Sequence, residues 1–180
     1  MKKLLLHACC GPCSIYPSGV LREQGMDFTL YFFNPNIHPY QEFKKRLQTL
    51  REFCENVKLP LIEDKSYSLE DFLSNALKEP VSRCNYCYKL RMAKTAQFAA
   101  ENGFDSFSTT LLGSIYQQHD DIKAFCEQLA QEYNIEFAYY DFRTGFFAGQ
   151  KEAKSRDMYR QAYCGCIFSE RDRYEKKKKE

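Results

Sequence analysis

Seven of the nine cysteines in this chain stand in three short groups. Thiolates are good ligands for iron and zinc, and pairs of them also exchange electrons as dithiols. Each group follows or flanks a predicted strand or helix start, so we expect all of them to meet at the carboxyl edge of one sheet, where α/β proteins bind ligands. The sequence therefore predicts metal or redox chemistry from Cys9, Cys10 and Cys13, from Cys84 and Cys87, and from Cys164 and Cys166.

The first group lies in the segment KLLLHACCGPCS, residues 3–14. An apolar strand runs into a tight turn, which is set by Gly11 and Pro12, and a helical pattern follows. The backbone N–H groups at the start of that helix face the turn, and their positive end lowers the pKa of nearby thiols. We therefore predict that this segment organises the site.

Three other interpretations of the cysteines compete with an iron–sulfur cluster. A structural zinc takes four ligands, whereas the motifs offer seven thiols. A thioredoxin-like dithiol at one CxxC motif leaves five of the grouped cysteines unexplained. Incidental burial of Cys9 and Cys10 conflicts with the polar turn around them. The spacing favours a cluster held by four thiolates, which leaves the third group for a second function.

The two remaining cysteines and the three histidines give weaker signals. Cys54 and Cys126 fall on apolar helical faces, so we predict that both are small buried core residues. His7 and His119 are predicted to be core or capping residues. His38 precedes Pro39 in a turn and is expected to be exposed.

Composition and charge limit the class of protein to which the chain can belong. Hydrophobic residues make up 44% and aromatic residues 16% of the chain, which is typical of a globular domain. The net charge of +2 is too small to argue for nucleic acid, but residues 150–180 hold ten Lys and Arg against six Asp and Glu. This asymmetry indicates either a basic face for a polyanion or a solvated helix, which we favour for residues 176–179. We expect no signal peptide, no membrane span and a cytoplasmic location, so disulfides are not expected to be structural.

Strand and helix patterns alternate along the whole chain. This alternation predicts one α/β domain over residues 1–180, with a doubly wound, mainly parallel five-stranded sheet, helices on both faces and a basic helical segment from about residue 150. The predicted strands cover residues 3–8, 28–33, 59–63, 106–112 and 137–142. The predicted helices cover residues 15–24, 39–56, 88–102, 120–133 and 150–163, with a further one capped by Ser68 and a loop over 143–149.

Five ordered motifs resemble the epoxyqueuosine reductases of the QueH type, and the resemblance covers nearly the whole chain. The motifs are HACCGPC at 7–13, RCNYCYKLR at 83–91, STTLLGSIYQQHD at 108–120, DFRTGF at 141–146 and YRQAYCGC at 159–166. The resemblance implies a fold similar to the nucleotide hydrolase and PP-loop group. It also implies a cobalamin-independent enzyme with a [4Fe–4S] cluster, which reduces the epoxide of epoxyqueuosine at the tRNA wobble position to give queuosine.

The resemblance extends to cofactors and partners. We predict that Cys9, Cys10, Cys84 and Cys87 hold the cluster, because these two groups lie in the most motif-like turns. Relatives vary at the position of Cys13, where Asp can also stand, and since both residue types ligate iron, Cys13 is the candidate ligand of a second, mononuclear iron. Cys164 and Cys166 are expected to bind that metal or to form a redox pair. The expected partners are the modified tRNA and an external electron donor, ferredoxin-like or flavodoxin-like.

Removing an epoxide oxygen to leave an alkene consumes two electrons and two protons and releases water. Since no side chain supplies the electrons, a redox cofactor must do so. The candidate proton donors are Asp141, His119 and Tyr163. For the tRNA, guanidinium groups beside tyrosine rings suit a splayed base and its phosphates, which points to Arg143, Arg156 and Arg160. An ordinary surface helix is the competing interpretation for Arg156.

Two other function classes stay open at this point. One is a PP-loop-like enzyme that sulfurates tRNA with the same thiols, although the first strand lacks the SGGxDS-type phosphate loop of that group. The other is a zinc-stabilised RNA-binding module without catalysis. Metal analysis separates iron from zinc.

Overall fold

Five parallel strands form the central sheet of this protein, for which a computed structural model describes residues 2–175. The strand order is β3-β2-β1-β4-β5, and every neighbouring pair is parallel. The central strand β1 is apolar and buried on both faces, since Leu4, Leu5 and Leu6 are all fully buried. The strands are β1 (Lys3–His7), β2 (Asp27–Phe33), β3 (Leu61–Asp64), β4 (Ser106–Thr109) and β5 (Glu136–Phe137).

Helices separate the strands and cover both faces of the sheet. They are α1 (Gly11–Glu23), α2 (Tyr40–Val57), α3 (Leu69–Lys78), α4 (Arg83–Glu101), α5 (His119–Glu132), α6 (Phe146–Ser155) and α7 (Ile167–Tyr174). Short 3-10 helices follow β4 at Thr110–Gly113 and precede α6 at Phe142–Gly145. No helix within residues 2–175 combines the length and the apolar character needed to cross a membrane.

Side chains that alternate along β1 build two hydrophobic cores. Leu4 and Leu6 pack on one face with residues of α1 and α2, including Leu21 and Leu47. Leu5 packs on the other face with residues of α4 and α5. This arrangement confirms the predicted doubly wound α/β fold with helices on both faces. The extent of the domain over residues 1–180 stays a prediction, and the proposed solvated helix over 176–179 lies outside the described residues.

The strand order reverses at β1, which pairs with β2 on one side and with β4 on the other. At such a switch point the loops that follow the two strands part and leave a crevice at the carboxyl edge of the sheet. Cys9 and Cys10 follow β1, and Thr110 follows β4. The topology therefore places the first cysteine group where α/β proteins bind ligands.

The two helices that carry grouped cysteines begin earlier than the sequence predicted, so cysteines expected in the preceding turns lie inside the helices. Helix α1 begins at Gly11, so Cys13 lies in its first turn, and Pro17 lies inside the helix instead of in its first turn. Helix α4 begins at Arg83, so Cys84 and Cys87 lie within the helix. The physical reason is capping: the Sγ of Cys10 accepts the Cys13 N–H at 3.4 Å, and the hydroxyl of Ser82 accepts the Asn85 N–H at 3.2 Å.

The helix predicted over residues 150–163 is confirmed only as far as Ser155, and its bounds are wrong. Helix α6 starts at Phe146, inside the predicted loop, and ends at Ser155. The backbone turns left-handed at Asp157, with φ of 51°, and no regular element follows before α7 in the described part of the chain. Strands β4 and β5 are also shorter than predicted. A 3-10 turn replaces the end of the predicted β4, and β5 has two residues.

Candidate metal centre

The first cysteine group forms a compact set of thiols. The Sγ atoms of Cys9, Cys10 and Cys13 all lie within 4.8 Å of one another. Cys9 lies in the turn after β1, Cys10 is the N-cap residue of α1, and Cys13 lies in the first turn of that helix. This spacing is close enough for the three thiols to bind one metal ion.

The three thiols of this group differ in their pKa. Hydrogen bonds from the neighbouring Cys10 and Cys13 thiols hold the pKa of Cys9 well below its usual range, and the Thr110 hydroxyl contacts Cys9 Sγ at 3.6 Å. Burial raises the pKa of Cys10, and the thiol hydrogen bond with Cys10 raises the pKa of Cys13. Cys9 is therefore the thiol of the group that loses its proton most readily, and the thiolate is the form that ligates metals.

The other four grouped cysteines lie close enough to influence one another's charge. Burial is the main cause that raises the pKa of Cys84 and of Cys87, the latter to about 12, and Cys164 and Cys166 raise both values further. Cys166 packs beside Cys87 in a small cluster with Phe72. Sequence spacing alone had left these two groups about 80 residues apart, and the fold brings them together.

A cavity of about 520 Å³ opens beside the thiols. Its wall includes Cys9 and Cys13 from the first cysteine group and Cys164 from the third. The remaining wall includes polar side chains, among them Asn34, Asn36, Gln117, Gln161, Arg46 and Arg91. A cavity with these donors and acceptors suits a polar ligand that must lie next to the thiols.

Helix α2 fixes the third cysteine group through Arg46, whose side chain is 1% exposed. Its guanidinium donates to the carbonyl oxygens of Tyr163 at 3.0 Å and of Cys164 at 2.8 Å. Glu42 balances the charge at 2.7 Å. The segment around Cys164 is irregular but held in place, because a buried guanidinium satisfies its carbonyl groups.

His38 holds the same segment from the other side. Its backbone N–H donates to the Gly165 carbonyl at 2.8 Å, and its Nδ1 accepts the Ile167 N–H at 3.3 Å. Since His38 is 1% exposed, the prediction that it is an exposed turn residue is wrong. The contacts responsible come from residues more than 120 positions away, which no local pattern reveals.

Comparison with known proteins identifies the family. The family model of epoxyqueuosine reductase QueH matches residues 4–172. The chain belongs to the epoxyqueuosine reductase QueH family. It is 38% identical over 174 residues to the epoxyqueuosine reductase QueH of Dehalococcoides mccartyi, covering 97% of this chain and 96% of that protein. It is 32% identical over 186 residues to the corresponding protein of Thermotoga maritima, covering 98% and 94% of the two chains. The resemblance drawn from the motifs is thereby confirmed.

One solved structure supports the fold of this QueH-family chain. A predicted subunit of a tRNA methyltransferase from Methanocaldococcus jannaschii superimposes with a TM-score of 0.56 at 13% identity, over 86% of this chain and 75% of that one. At this identity the similarity concerns the fold alone. It agrees with the doubly wound parallel sheet described above.

Among the predicted proton donors, the structure brings only Tyr163 to the cavity of this QueH-family chain. Burial raises the pKa of Tyr163 to about 12, and its hydroxyl donates to the His38 carbonyl. His119 is buried elsewhere, with its Nε2 3.1 Å from the Tyr139 hydroxyl. Asp141 is exposed, and the Arg143 guanidinium at 2.8 Å lowers its pKa to about 2, so at neutral pH it carries no proton to donate.

The predicted tRNA-binding arginines lie on the surface and do not line the cavity. Arg143 pairs with Asp141, and Arg156 pairs with Glu152 at 2.5 Å. Arg160 is exposed in the irregular segment after α6. Their contact with tRNA stays a prediction.

Cys54 and Cys126 are 3% and 0% exposed and pack in the two hydrophobic cores, as predicted.

Arg91 was not among the predicted site residues, yet it is 2% exposed and lines the cavity. The sequence does contain a signal for this arginine: Cys84, Cys87 and Arg91 are spaced at i, i+3 and i+7, so they share one helical face.

Proposed function

We propose that this chain reduces epoxyqueuosine in tRNA to queuosine; its curated relatives are named epoxyqueuosine reductases. The observation that carries the proposal is the compact group of three thiols, Cys9, Cys10 and Cys13, beside a cavity that Cys164 also lines, in a chain of this family. The sulfurating enzyme and the zinc-stabilised RNA-binding module have no better support among the relatives. A tRNA substrate also favours the cytoplasm as the location of the enzyme.

The donor set fits an iron–sulfur centre. Cysteine thiolates are the ligands of such clusters, and the pKa of Cys9 is held well below its usual range, which favours its thiolate form. We propose that Cys9, Cys10, Cys84 and Cys87 hold a [4Fe–4S] cluster, that Cys13 binds a second, mononuclear iron, and that Cys164 and Cys166 support that metal or form a redox pair. When bound, the iron–sulfur cluster supplies the electrons of the reduction, which it receives from a ferredoxin-like or flavodoxin-like donor.

The side chains of the cavity bind and orient the substrate. The Oδ1 atoms of Asn34 and Asn36 are buried and have no hydrogen-bond partner among the described residues, so they are acceptors for N–H and O–H groups of a ligand. Tyr163 keeps its proton at neutral pH because its pKa is about 12. We propose that this hydroxyl, turned from the His38 carbonyl towards the cavity, donates a proton to the leaving oxygen.

The ligand assignment is tested by the iron content of single variants purified and reconstituted anaerobically. We expect Cys10→Ser and Cys84→Ser to lose cluster iron and the visible absorption of the cluster, because each removes one of four thiolates. Cys166→Ser is the matched control, because it removes a thiol that also lies beside Cys87. Full iron content in Cys84→Ser together with loss in Cys166→Ser would overturn the assignment, because Cys166 and not Cys84 would then be a ligand of the cluster.

The second metal is tested in the same preparation with excess iron. The Cys13→Ala variant should keep about four irons per chain, lose the additional one and lose turnover. If the wild-type protein binds only the irons of the cluster, the second-metal proposal fails. The thiol pair of Cys164 and Cys166 then becomes the better explanation for the additional cysteines.

A further inference from the structure

Two arginines are almost completely buried beside the thiols, but only one of them is neutralised. Arg46 is 1% exposed and has a carboxylate partner in Glu42 and two carbonyl acceptors. Arg91 is 2% exposed, and its Nε contacts only the carbonyl of Cys87, on its own helix, at 3.3 Å. Within residues 2–175 its Nη2 is buried without a hydrogen-bond partner, and no Asp or Glu forms an ion pair with it.

A guanidinium cannot lose its proton at physiological pH, so Arg91 is a permanent buried charge. A buried charge without a partner is strongly destabilising, and burying one requires a neighbouring anion. The side chain of Arg91 lines the same cavity as Cys9 and Cys164. Arg91 lies one helical turn after Cys87 on α4. The neighbouring groups that can become negative are the thiols of Cys87, Cys164 and Cys9, which come from all three cysteine groups.

We propose that Arg91 is the counter-ion of the thiolate–metal centre and that its charge raises the reduction potential of that centre. This inference rests on the proposed iron–sulfur function. Thiolate ligands give such a centre a net negative charge, and one more negative charge is added when it accepts an electron from the external donor. A fixed cation nearby stabilises the reduced form more than the oxidised form, and burial strengthens this effect because water does not screen it.

The test compares Arg91→Met, Arg91→Lys and Lys89→Met in the full chain, reconstituted anaerobically. Lys89 is the matched control, because it lies on the same helix but is exposed and pairs with Glu79. Iron and sulfide are measured first, and each cluster is then titrated with a reductant and monitored by electron paramagnetic resonance. If the wild-type protein holds no cluster, this first measurement refutes the proposed function independently of Arg91.

We expect Arg91→Met to lower the ratio of reduced to oxidised cluster at a given potential at least tenfold, which is about 59 mV for a one-electron couple. Arg91→Lys keeps the charge and should recover most of the potential, and Lys89→Met should match the wild type. An unchanged midpoint in Arg91→Met with full iron content overturns the inference. Weaker tRNA binding with an unchanged midpoint would assign Arg91 to a substrate phosphate instead.

A measurement on the metal-free protein covers the case in which Arg91→Met does not retain iron. Without the centre, Arg91 is an uncompensated charge, so replacing it by Met should raise the thermal midpoint of the metal-free chain. Loss of iron combined with a raised thermal midpoint supports the inference. Loss of iron combined with a lowered thermal midpoint would show that Arg91 is only a packing residue, and would overturn it.

Discussion

The guanidinium of Arg46 donates a hydrogen bond of 2.8 Å to the carbonyl oxygen of Cys164. The two residues are 118 positions apart, and their contact joins the middle of α2 to the irregular segment that carries the third cysteine group. Because the cavity includes both residues, this hydrogen bond sets the position of one wall of the site. The position of Cys164 therefore depends on a buried ion pair on α2.

Replacing Arg46 by Met should destabilise the protein by about 3 kcal/mol, because it leaves the carboxylate of Glu42 buried without its cation. The free energy of unfolding is measured by urea denaturation of the metal-free chain. The control is Arg51→Met on the same helix, where the side chain is 33% exposed and its partner Glu63 is 20% exposed. Its cost should be at most about 1 kcal/mol. Equal losses in the two variants would contradict the role given to Arg46.

Gly11 has no room for a side chain. A Cβ at this position would lie 2.9 Å from the backbone oxygen of Thr49 and 2.8 Å from Cε of Met158. We expect Gly11→Ala to destabilise the chain by about 1–3 kcal/mol and to displace the neighbouring cysteine turn, because a backbone atom cannot move aside cheaply. Thermal unfolding measures the loss, and iron uptake reports on the turn.

Gly19 is the control for that substitution, since it lies in the same helix, is exposed and has no atom within 4 Å of the place that a Cβ would occupy. Gly19→Ala should stabilise the chain by about 0.5–1 kcal/mol, because alanine loses less conformational entropy in a helix. If Gly11→Ala were as harmless as Gly19→Ala, the close approach of α1 to Thr49 would not be a packing constraint.

The two core cysteines should be dispensable for chemistry. Cys54→Ala and Cys126→Ala remove a buried sulfur from opposite faces of the sheet, and each should cost about 1 kcal/mol of stability. Iron content and turnover should match those of the wild-type protein. Loss of either property in a folded variant would show that burial in the core does not describe the whole role of that cysteine.

Binding of tRNA should depend on salt through the basic surface of α6 and the segment that follows it. Lys151 and Lys154 lie exposed on the helix, and Arg156 and Arg160 follow it. Each phosphate contact that is lost should reduce the slope of log affinity against log salt by about 0.7–0.9. The Arg156→Ala, Arg160→Ala double variant tests this, and an unchanged slope would mean that this surface does not contact the tRNA.

The order of strands and helices followed from the sequence because its signals are local. Apolar runs such as Leu4–Leu6 mark strands, and the three- and four-residue spacing of Phe43, Leu47 and Leu50 marks α2. Helix starts were harder to place, since Cys10 and Ser82 cap helices that begin among residues of weak periodicity. The helix predicted over 150–163 ends early because a left-handed residue at Asp157 interrupts it.

The cysteine groups could be predicted, whereas their surroundings could not. Motif spacing identified seven thiols, but the burial of Arg46, Arg91 and His38 depends on contacts between distant parts of the chain. A charged residue is normally expected at the surface, so sequence patterns give no reason to place two arginines inside. Asp141 was a reasonable proton donor by residue type until its pairing with Arg143 was seen.

The central claim is tested most directly by turnover of tRNA that carries epoxyqueuosine. The anaerobically reconstituted chain is mixed with this tRNA and a chemical reductant, without cobalamin, and the digested nucleosides are analysed by mass spectrometry. We predict queuosine, one oxygen atom lighter than the substrate, and no product from Cys9→Ser, which removes the thiol of lowered pKa in the first cysteine group. An unchanged substrate in the presence of wild-type protein with its full complement of cluster iron would contradict the proposed function.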